Sequence, residues 1–234
     1  RAAEFIEDNK HQPFVMYVSR IEPHSPYIGS MQDTYNAEEL PVGPTFLKKP
    51  ENVSLLNRLK AEYYLQYMEG GDPSQDSYMS TWAAVGEDVT TELGWRQLRA
   101  HYYGTVSLVD EMVGKITSAL EHADLTNDTI IVFTSDHGDL LGDHAMLEKR
   151  SFYEESARVP LIISIPSITT TQTEIDGSFS QIDLVPTLLD LLGQDVPDHL
   201  HGESRLDVLQ GTRSLHGNDV IVEWNGIREG HFDR

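Results

Sequence analysis

Apolar positions along the chain follow two periods. Short continuous runs rich in β-branched residues occur at Phe14-Val15-Met16-Tyr17-Val18, at 129–134 around Ile130-Ile131-Val132-Phe133, and at Leu161–Ile165, each bounded by polar or turn-forming residues. Such runs predict buried strands. Between them, Leu98, Tyr102, Val106, Val109, Met112, Val113, Ile116 and Leu120 recur at spacings of three and four, which predicts an amphipathic helix over 95–120. Leu55–Met68 has the same helical look and stops at Gly70-Gly71-Asp72-Pro73. Gln181–Leu192 predicts another helix, with Ile182, Val185, Leu188, Leu189 and Leu192 inward, Pro186 early in the helix and Gly193 at its stop. Residues 1–10 read as the end of a helix and Val220–Trp224 as a last strand. Strands alternating with long helices predict an α/β fold with a mainly parallel sheet sandwiched by helices. Residues 28–94 carry the least regular pattern and are expected to form an insertion near the mouth of that sheet. No internal repeat is visible.

The strand at 129–134 stops abruptly at Ser135-Asp136-His137-Gly138. Ligands of α/β folds gather at the carboxyl ends of strands, where an adjacent carboxylate and imidazole can share one cation. Ser-Asp-His-Gly also suits a plain turn or helix cap. Three further features favour a site: the nearby pair Asp143-His144, the cation Lys149, and His24, which follows the first predicted strand in Pro23-His24-Ser25-Pro26-Tyr27. Flanking prolines stiffen that second loop and hold its ring. Asp198-His199-Leu200-His201 resembles a metal clip but lacks a third neighbouring ligand, and is expected to be solvated. Tyr102-Tyr103 is expected on the helix face and in the core.

Composition narrows the function classes. The 234 residues carry 17 basic against 38 acidic side chains, a net charge of −21. Nucleic-acid binding through a broad basic surface and docking on anionic lipid are disfavoured, and an anionic substrate would need local positive charge or a metal to be held. No run approaches a membrane span. With no cysteine there is neither a disulfide nor a thiolate metal site. The chain opens at Arg1 on a polar, helix-like stretch that does not read as a signal peptide, so it is expected to be the inner part of something longer; compartment and oligomeric state stay open.

Taken together and in order, these motifs resemble the type I sulfatases of the alkaline phosphatase superfamily. The resemblance covers most of residues 13–230 and is weakest in 28–94. It rests on Phe14–Tyr27, the helix HYYGTVSLVDEMVGKITSALEHA, the stretch 130–162, SQIDLVPTLLDLLG followed by HGESRLDVLQG, and VIVEWNG. It implies that Asp136 and His137 are two metal ligands for a divalent cation, usually calcium. Some relatives carry asparagine at the second position; the histidine form also occurs among choline-sulfatase-like and phosphonate monoester hydrolase-like members, where manganese or magnesium are alternatives. It implies that Lys149 contacts the oxygens of the transferred group, and that His24 contacts the same group and assists departure of the alcohol. Both are thus expected to be catalytic and substrate-binding. His144 and Arg158 fall in similar motifs and receive no chemistry. The implied substrate is a small-molecule or saccharide sulfate ester.

One departure is large. The family's nucleophile is a formylglycine made from Cys or Ser in a C/S-x-P-x-R motif, and this chain has no cysteine. Ser164-Ile165-Pro166-Ser167-Ile168 begins the serine version, but Ile168 stands where arginine is needed and the segment follows the metal loop instead of preceding it. The early metal-binding Asp pair is absent too. The simplest expectation is a central fragment: a partial α/β domain over 1–215 and the start of a C-terminal subdomain over 216–234, inactive alone, from a parent that hydrolyses sulfate esters. The alternatives are a phosphodiester or phosphonate monoester hydrolase on the same scaffold, or a catalytically silent module.

Overall fold

The computed structural model describes residues 1–168 and 171–223. Seven helices are described, α1 (Ala2–Asn9), α2 (Leu55–Met68), α3 (Met79–Ala84), α4 (Glu92–His122), α5 (Glu154–Ala157), α6 (Leu184–Leu191) and α7 (Leu206–Leu209), with two strands, β1 (Ile131–Thr134) and β2 (Leu161–Ser164). The chain divides into two compact units. Among the described residues the first contains 1–126 and 133–161, and the second contains 127–132 and those between 162 and 223.

The two longest helices, α2 and α4, begin where a side chain satisfies a free backbone amide. Ser54 caps α2 by accepting the Asn57 amide, and Thr91 caps α4 by accepting that of Gly94. Gly70, at φ 104°, and the Gly71 amide bonded to the Gln66 carbonyl at 2.9 Å close α2. The apolar stripe of α4 is buried mainly near its two ends, at Trp95, Leu98 and Leu120, while Val106 in the middle is exposed. Gly104 lets α4 approach the turn at 32–34: a Cβ there would stand 2.1 Å from the Met31 carbonyl oxygen.

The core of the first unit is aromatic. Tyr64 and Trp95 meet edge to face, as do Tyr27 with Trp82 and Tyr27 with Tyr102. The Trp95 indole donates to the Val89 carbonyl at 2.9 Å, so its one polar atom is satisfied in the interior. Residues 28–94 supply much of this core, including Phe46, Ala61, Tyr64, Tyr67, Met79, Trp82 and Val89.

In the second unit a polar network decides which helix face turns inward. Asp183 accepts from the Arg205 guanidinium at 2.8 Å and from the Glu203 amide at 2.9 Å, and the Thr187 hydroxyl accepts the Arg205 amide at 2.9 Å. Asp183, Pro186 and Thr187 are therefore buried, and Ile182, Val185 and Leu192, expected inward from their spacing, are exposed. Burying a charged pair demands all of its partners, and these lie on one side of α6.

Among the described residues the sheet consists of two strands, β1 and β2, so the larger parallel sheet expected between helices is not seen in full. Residues 14–18 form no strand, and Val15 and Tyr17 are about nine-tenths exposed, at 89% and 91%. A strand exists only with a neighbour to satisfy its ladder, and no described segment supplies one there. Residues 220–223 likewise form no strand; Trp224 and the rest of that motif lie outside the described residues. Among the described residues no helix is long and apolar enough to cross a membrane.

Lys60, on α2, is buried and donates to the Arg150 carbonyl. Burial first, and Arg150 second, push its amine down to about 8. The folded state thus binds this proton more weakly than the unfolded chain does. The lysine's contribution to stability is complete above the ordinary lysine range and is lost as pH falls through about 8. Comparing denaturation midpoints of the wild-type and Lys60→Met proteins at pH 7 and pH 10.5, the difference should move in favour of the wild type at the higher pH, by at most about 3 kcal/mol. A difference independent of pH contradicts this assignment.

Candidate active site

At the C-terminal end of β1 the chain turns through Ser135-Asp136-His137-Gly138. The turn is tight because Gly138 lies against residues 155–156. Its amide donates to the Ser156 carbonyl at 2.8 Å, and a Cβ at this position would stand 2.0 Å from the Glu155 carbonyl oxygen. The Ser135 hydroxyl bonds to the His137 carbonyl at 3.0 Å, and the Thr134 hydroxyl to that of Pro160 at 2.9 Å.

The His137 ring has a defined chemical sense. Nδ1 lies 2.8 Å from the Gly138 carbonyl oxygen, which can only accept, so Nδ1 carries a proton and Nε2 is the nitrogen turned toward Asp136. That Nε2 is 3.5 Å from Asp136 Oδ2. Two donors sharing a divalent ion at about 2.0–2.4 Å stand roughly 3–3.5 Å apart at right angles, so this spacing fits a common cation. Against a desolvation that pushes it up, the His137 ring and amide hold the Asp136 carboxyl below the usual carboxylate range, leaving an anionic oxygen beside Nε2. Asp136 is largely exposed and His137 half-buried. Among the described residues no third His, Asp or Glu joins them in a group that could hold a metal ion.

The loop after this turn is strained. Leu141, His144, Ala145, Glu148 and Arg150 all have positive φ, between 45° and 73°. Left-handed backbone at a non-glycine residue costs about 1 kcal/mol or more, and the surroundings hold it. Leu140, Leu141, Ala145, Met146 and Leu147 are buried, and the Leu140 amide bonds to the Glu148 carbonyl at 2.8 Å. Asp143 accepts from Arg99 at 3.1 Å and from the Thr45 hydroxyl at 2.7 Å. His144 stacks on Tyr153 with ring centroids 3.7 Å apart.

Lys149 stands between the strained residues Glu148 and Arg150. Its Nζ lies 2.8 Å from Nε2 of His24, across 125 residues of sequence. His24 Nδ1 lies 2.8 Å from the Ser25 carbonyl oxygen. Nδ1 is therefore the protonated nitrogen, and Nε2 accepts from the ammonium. Both predicted pairs thus stand in contact within the first unit: Asp136 with His137, and His24 with Lys149. Two shallow clefts of about 540 and 310 Å³, one lined by Lys49–Val53 with Arg58 and the other by residues 72–74, 83 and 86–90, include none of the four.

The sequence reading passed over Asp139. This partly buried carboxylate accepts from the Tyr27 hydroxyl at 2.7 Å and from the amides of Leu141 at 3.1 Å and Glu148 at 3.0 Å. Burial pushes the Asp139 carboxyl up while these donors pull it back, and burial together with Asp139 pushes the Tyr27 phenol far above its ordinary range. A second acid two positions beyond His137, and a tyrosine closing Pro-His-Ser-Pro-Tyr, were the available signals. The Asp198–His201 segment is mostly exposed, and Arg158 is exposed beside Glu154.

With this geometry established, comparison with known proteins places the chain. The Sulfatase family model matches residues 1–194. The chain belongs to the sulfatase family. It is 32% identical over its whole length to the multifunctional alkaline phosphatase superfamily protein PehA of Trinickia caryophylli, and spans 45% of that protein. It is 34% identical to arylsulfatase K of Gallus gallus, with 86% of this chain matched to 36% of the relative. The chain therefore spans less than half the length of these sulfatase-family relatives. Among solved structures, a protein in complex with its substrate D-glucosamine-2-N,6-O-disulfate superposes with TM-score 0.72 at 25% identity, covering 93% of this chain and 52% of that one. The phosphonate monoester hydrolase of Agrobacterium radiobacter superposes with TM-score 0.63 at 27% identity, covering 91% and 42%. Both belong to the α/β fold type expected from the alternation of elements.

Gly138→Ala should destabilise the protein by about 1–3 kcal/mol, because the methyl group has only a backbone carbonyl to meet. Chemical denaturation read by intrinsic fluorescence measures this; a loss below about 0.5 kcal/mol would remove the close approach at this position.

Proposed function

We propose that this chain is the part of a sulfate ester hydrolase that carries a leaving-group histidine, a substrate-binding lysine and two of the metal ligands. The observation that carries the reading is the contact of Lys149 with His24 at 2.8 Å. In a chain of net charge −21, an ammonium and an imidazole brought together from distant segments make a local place for an anion. The remaining N–H bonds of Lys149 donate to the non-bridging oxygens of the ester. As the bond to the leaving oxygen breaks, negative charge grows on that oxygen, and His24 quenches it by delivering a proton from Nε2. In the resting arrangement that nitrogen accepts from Lys149, so the ammonium is the adjacent source of the proton. The Ser25 carbonyl holds the ring in the one tautomer that allows this.

Asp136 and His137 would hold the divalent cation, with calcium the first choice and manganese or magnesium the alternatives. Bound there, it would supply electrostatic stabilisation of charge on the transferred group. The nucleophile, a formylglycine, and the other metal ligands come in this reading from parts of the protein outside this chain. We further infer that β1, β2 and residues 14–18 belong to a larger parallel sheet covered by helices, completed by those parts, with residues 1–215 in that domain and 216–234 opening a smaller one. The exposure of Val15 and Tyr17 supports such a completion. A saccharide sulfate ester is the favoured substrate class, supported by the glucosamine disulfate bound to a structural neighbour. Hydrolysis of phosphonate monoesters is the second reading, favoured by the likeness to the Agrobacterium enzyme.

The test is a comparison of kcat/KM of the full-length protein on aryl sulfates and aryl phosphonate monoesters. The first reading expects sulfate to be preferred by at least about tenfold, and a reversed preference establishes the second. Activity on neither class would favour a silent module. Asp136→Asn should lower metal content measured by mass spectrometry, with activity falling about a hundredfold or more; full occupancy would remove the ligand assignment. His24→Ala should slow esters of poor leaving groups at least about tenfold more than activated nitrophenyl esters, and equal losses would remove the proton-delivery role.

A further inference from the structure

We propose that Asp139 is a positioning residue that sets the alignment of His24 with Lys149, acting through Tyr27 on one side and through the Glu148 backbone on the other. The geometry has a simple form. Oδ2 takes the Tyr27 hydroxyl, and Tyr27 stands three positions beyond His24 in the Pro-His-Ser-Pro-Tyr loop. Oδ1 takes the Leu141 and Glu148 amides, and Glu148 immediately precedes Lys149. One carboxylate therefore ties together two loops whose working side chains touch at 2.8 Å.

Apart from the Lys149–His24 contact itself, Asp139 is what the described hydrogen bonds show joining the two loops. Tyr27 is fully buried, packed edge to face against Trp82 and Tyr102, so its hydroxyl position is defined by rigid neighbours. Glu148 sits in left-handed backbone at φ 62°, a conformation that a bond to its amide helps to hold. Lys60, donating to the Arg150 carbonyl, restrains the other side of Lys149. Releasing the Tyr27 end leaves the Lys149 side intact and frees the His24 loop to shift. A displacement of an ångström or less is enough to affect proton delivery to a leaving oxygen.

This inference rests on the reading of His24 and Lys149 as the groups that meet the ester, and its experiment separates the two. In the full-length protein, Tyr27→Phe should lower kcat on a sulfate ester of a poor leaving group about tenfold, with KM and metal content changed less than twofold. In a His24→Ala background the same substitution should cost less than about twofold, because the group it positions is gone. A purely structural role for Tyr27 predicts the same loss in both backgrounds, and that result, or an unchanged kcat, overturns the proposal. Asp139→Asn should exceed Tyr27→Phe in its effect; if that variant fails to fold, Tyr27→Phe carries the test alone. If the wild type hydrolyses no ester, the functional reading fails, and positioning is then judged on ¹⁵N shifts of the His24 ring in histidine-labelled protein. A shifted Nε2 resonance in Tyr27→Phe supports the link, and an unchanged one overturns it.

Discussion

The candidate site depends on one partly buried carboxylate having all of its hydrogen bonds. Asp139 sits where an unpaired charge would be costly, and it is tolerated because the Tyr27 hydroxyl and two backbone amides converge on it. The same three bonds do structural work at a distance. They join the loop of His24 to the loop of Lys149 and help hold the latter in left-handed backbone. Hydrogen bonds to a charged acceptor contribute roughly 1.5–3 kcal/mol each, enough together to outweigh a few strained residues. Packing of Leu140, Leu141, Ala145, Met146 and Leu147 beneath the loop supplies the rest of the constraint.

Both candidate histidines are oriented in the same way. Each donates from Nδ1 to a backbone carbonyl one residue on, His24 to Ser25 and His137 to Gly138. Each therefore turns Nε2 outward, to Lys149 in one case and beside Asp136 in the other. The two histidines share one local arrangement and, in the proposed function, would serve different ends. A neutral imidazole nitrogen next to an exposed carboxylate suits a cation; one facing an ammonium suits an anionic group that replaces part of the mutual contact. Local arrangement, and not the chain's net charge, decides what is attracted, since screening confines the repulsion of the acidic surface to about 8–10 Å.

Motifs were legible where the relevant signal is local. Helices α2 and α4 follow from periodicity, and β1 and β2 from their apolar runs. Asp136, His137, Lys149 and His24 could be picked out because strand ends and stiff proline loops are where chemistry gathers. Asp139 was not, since nothing in a short run of residues distinguishes an acid that binds a metal from one that accepts a tyrosine hydroxyl. The inward face of α6 was misread for a related reason: its apolar pattern pointed one way, and a buried Asp183–Arg205 pair, invisible in a helical wheel, turned it the other.

By itself, then, the sequence determined the helices with strong periodicity, two of the short strands and the family, and it picked out His24, Asp136, His137 and Lys149 as candidates. These are properties of neighbouring residues and of recognisable order along the chain. Tertiary structure alone decided that His24 meets Lys149 across 125 residues, that Tyr27 and Asp139 join their loops, and that residues 14–18 stand exposed without a strand partner. The physical reason is that hydrogen bonds and sheet ladders between distant segments depend on which surfaces are brought together, and that information is held in the packing of Trp95, Tyr64 and their neighbours, not in any one stretch of residues.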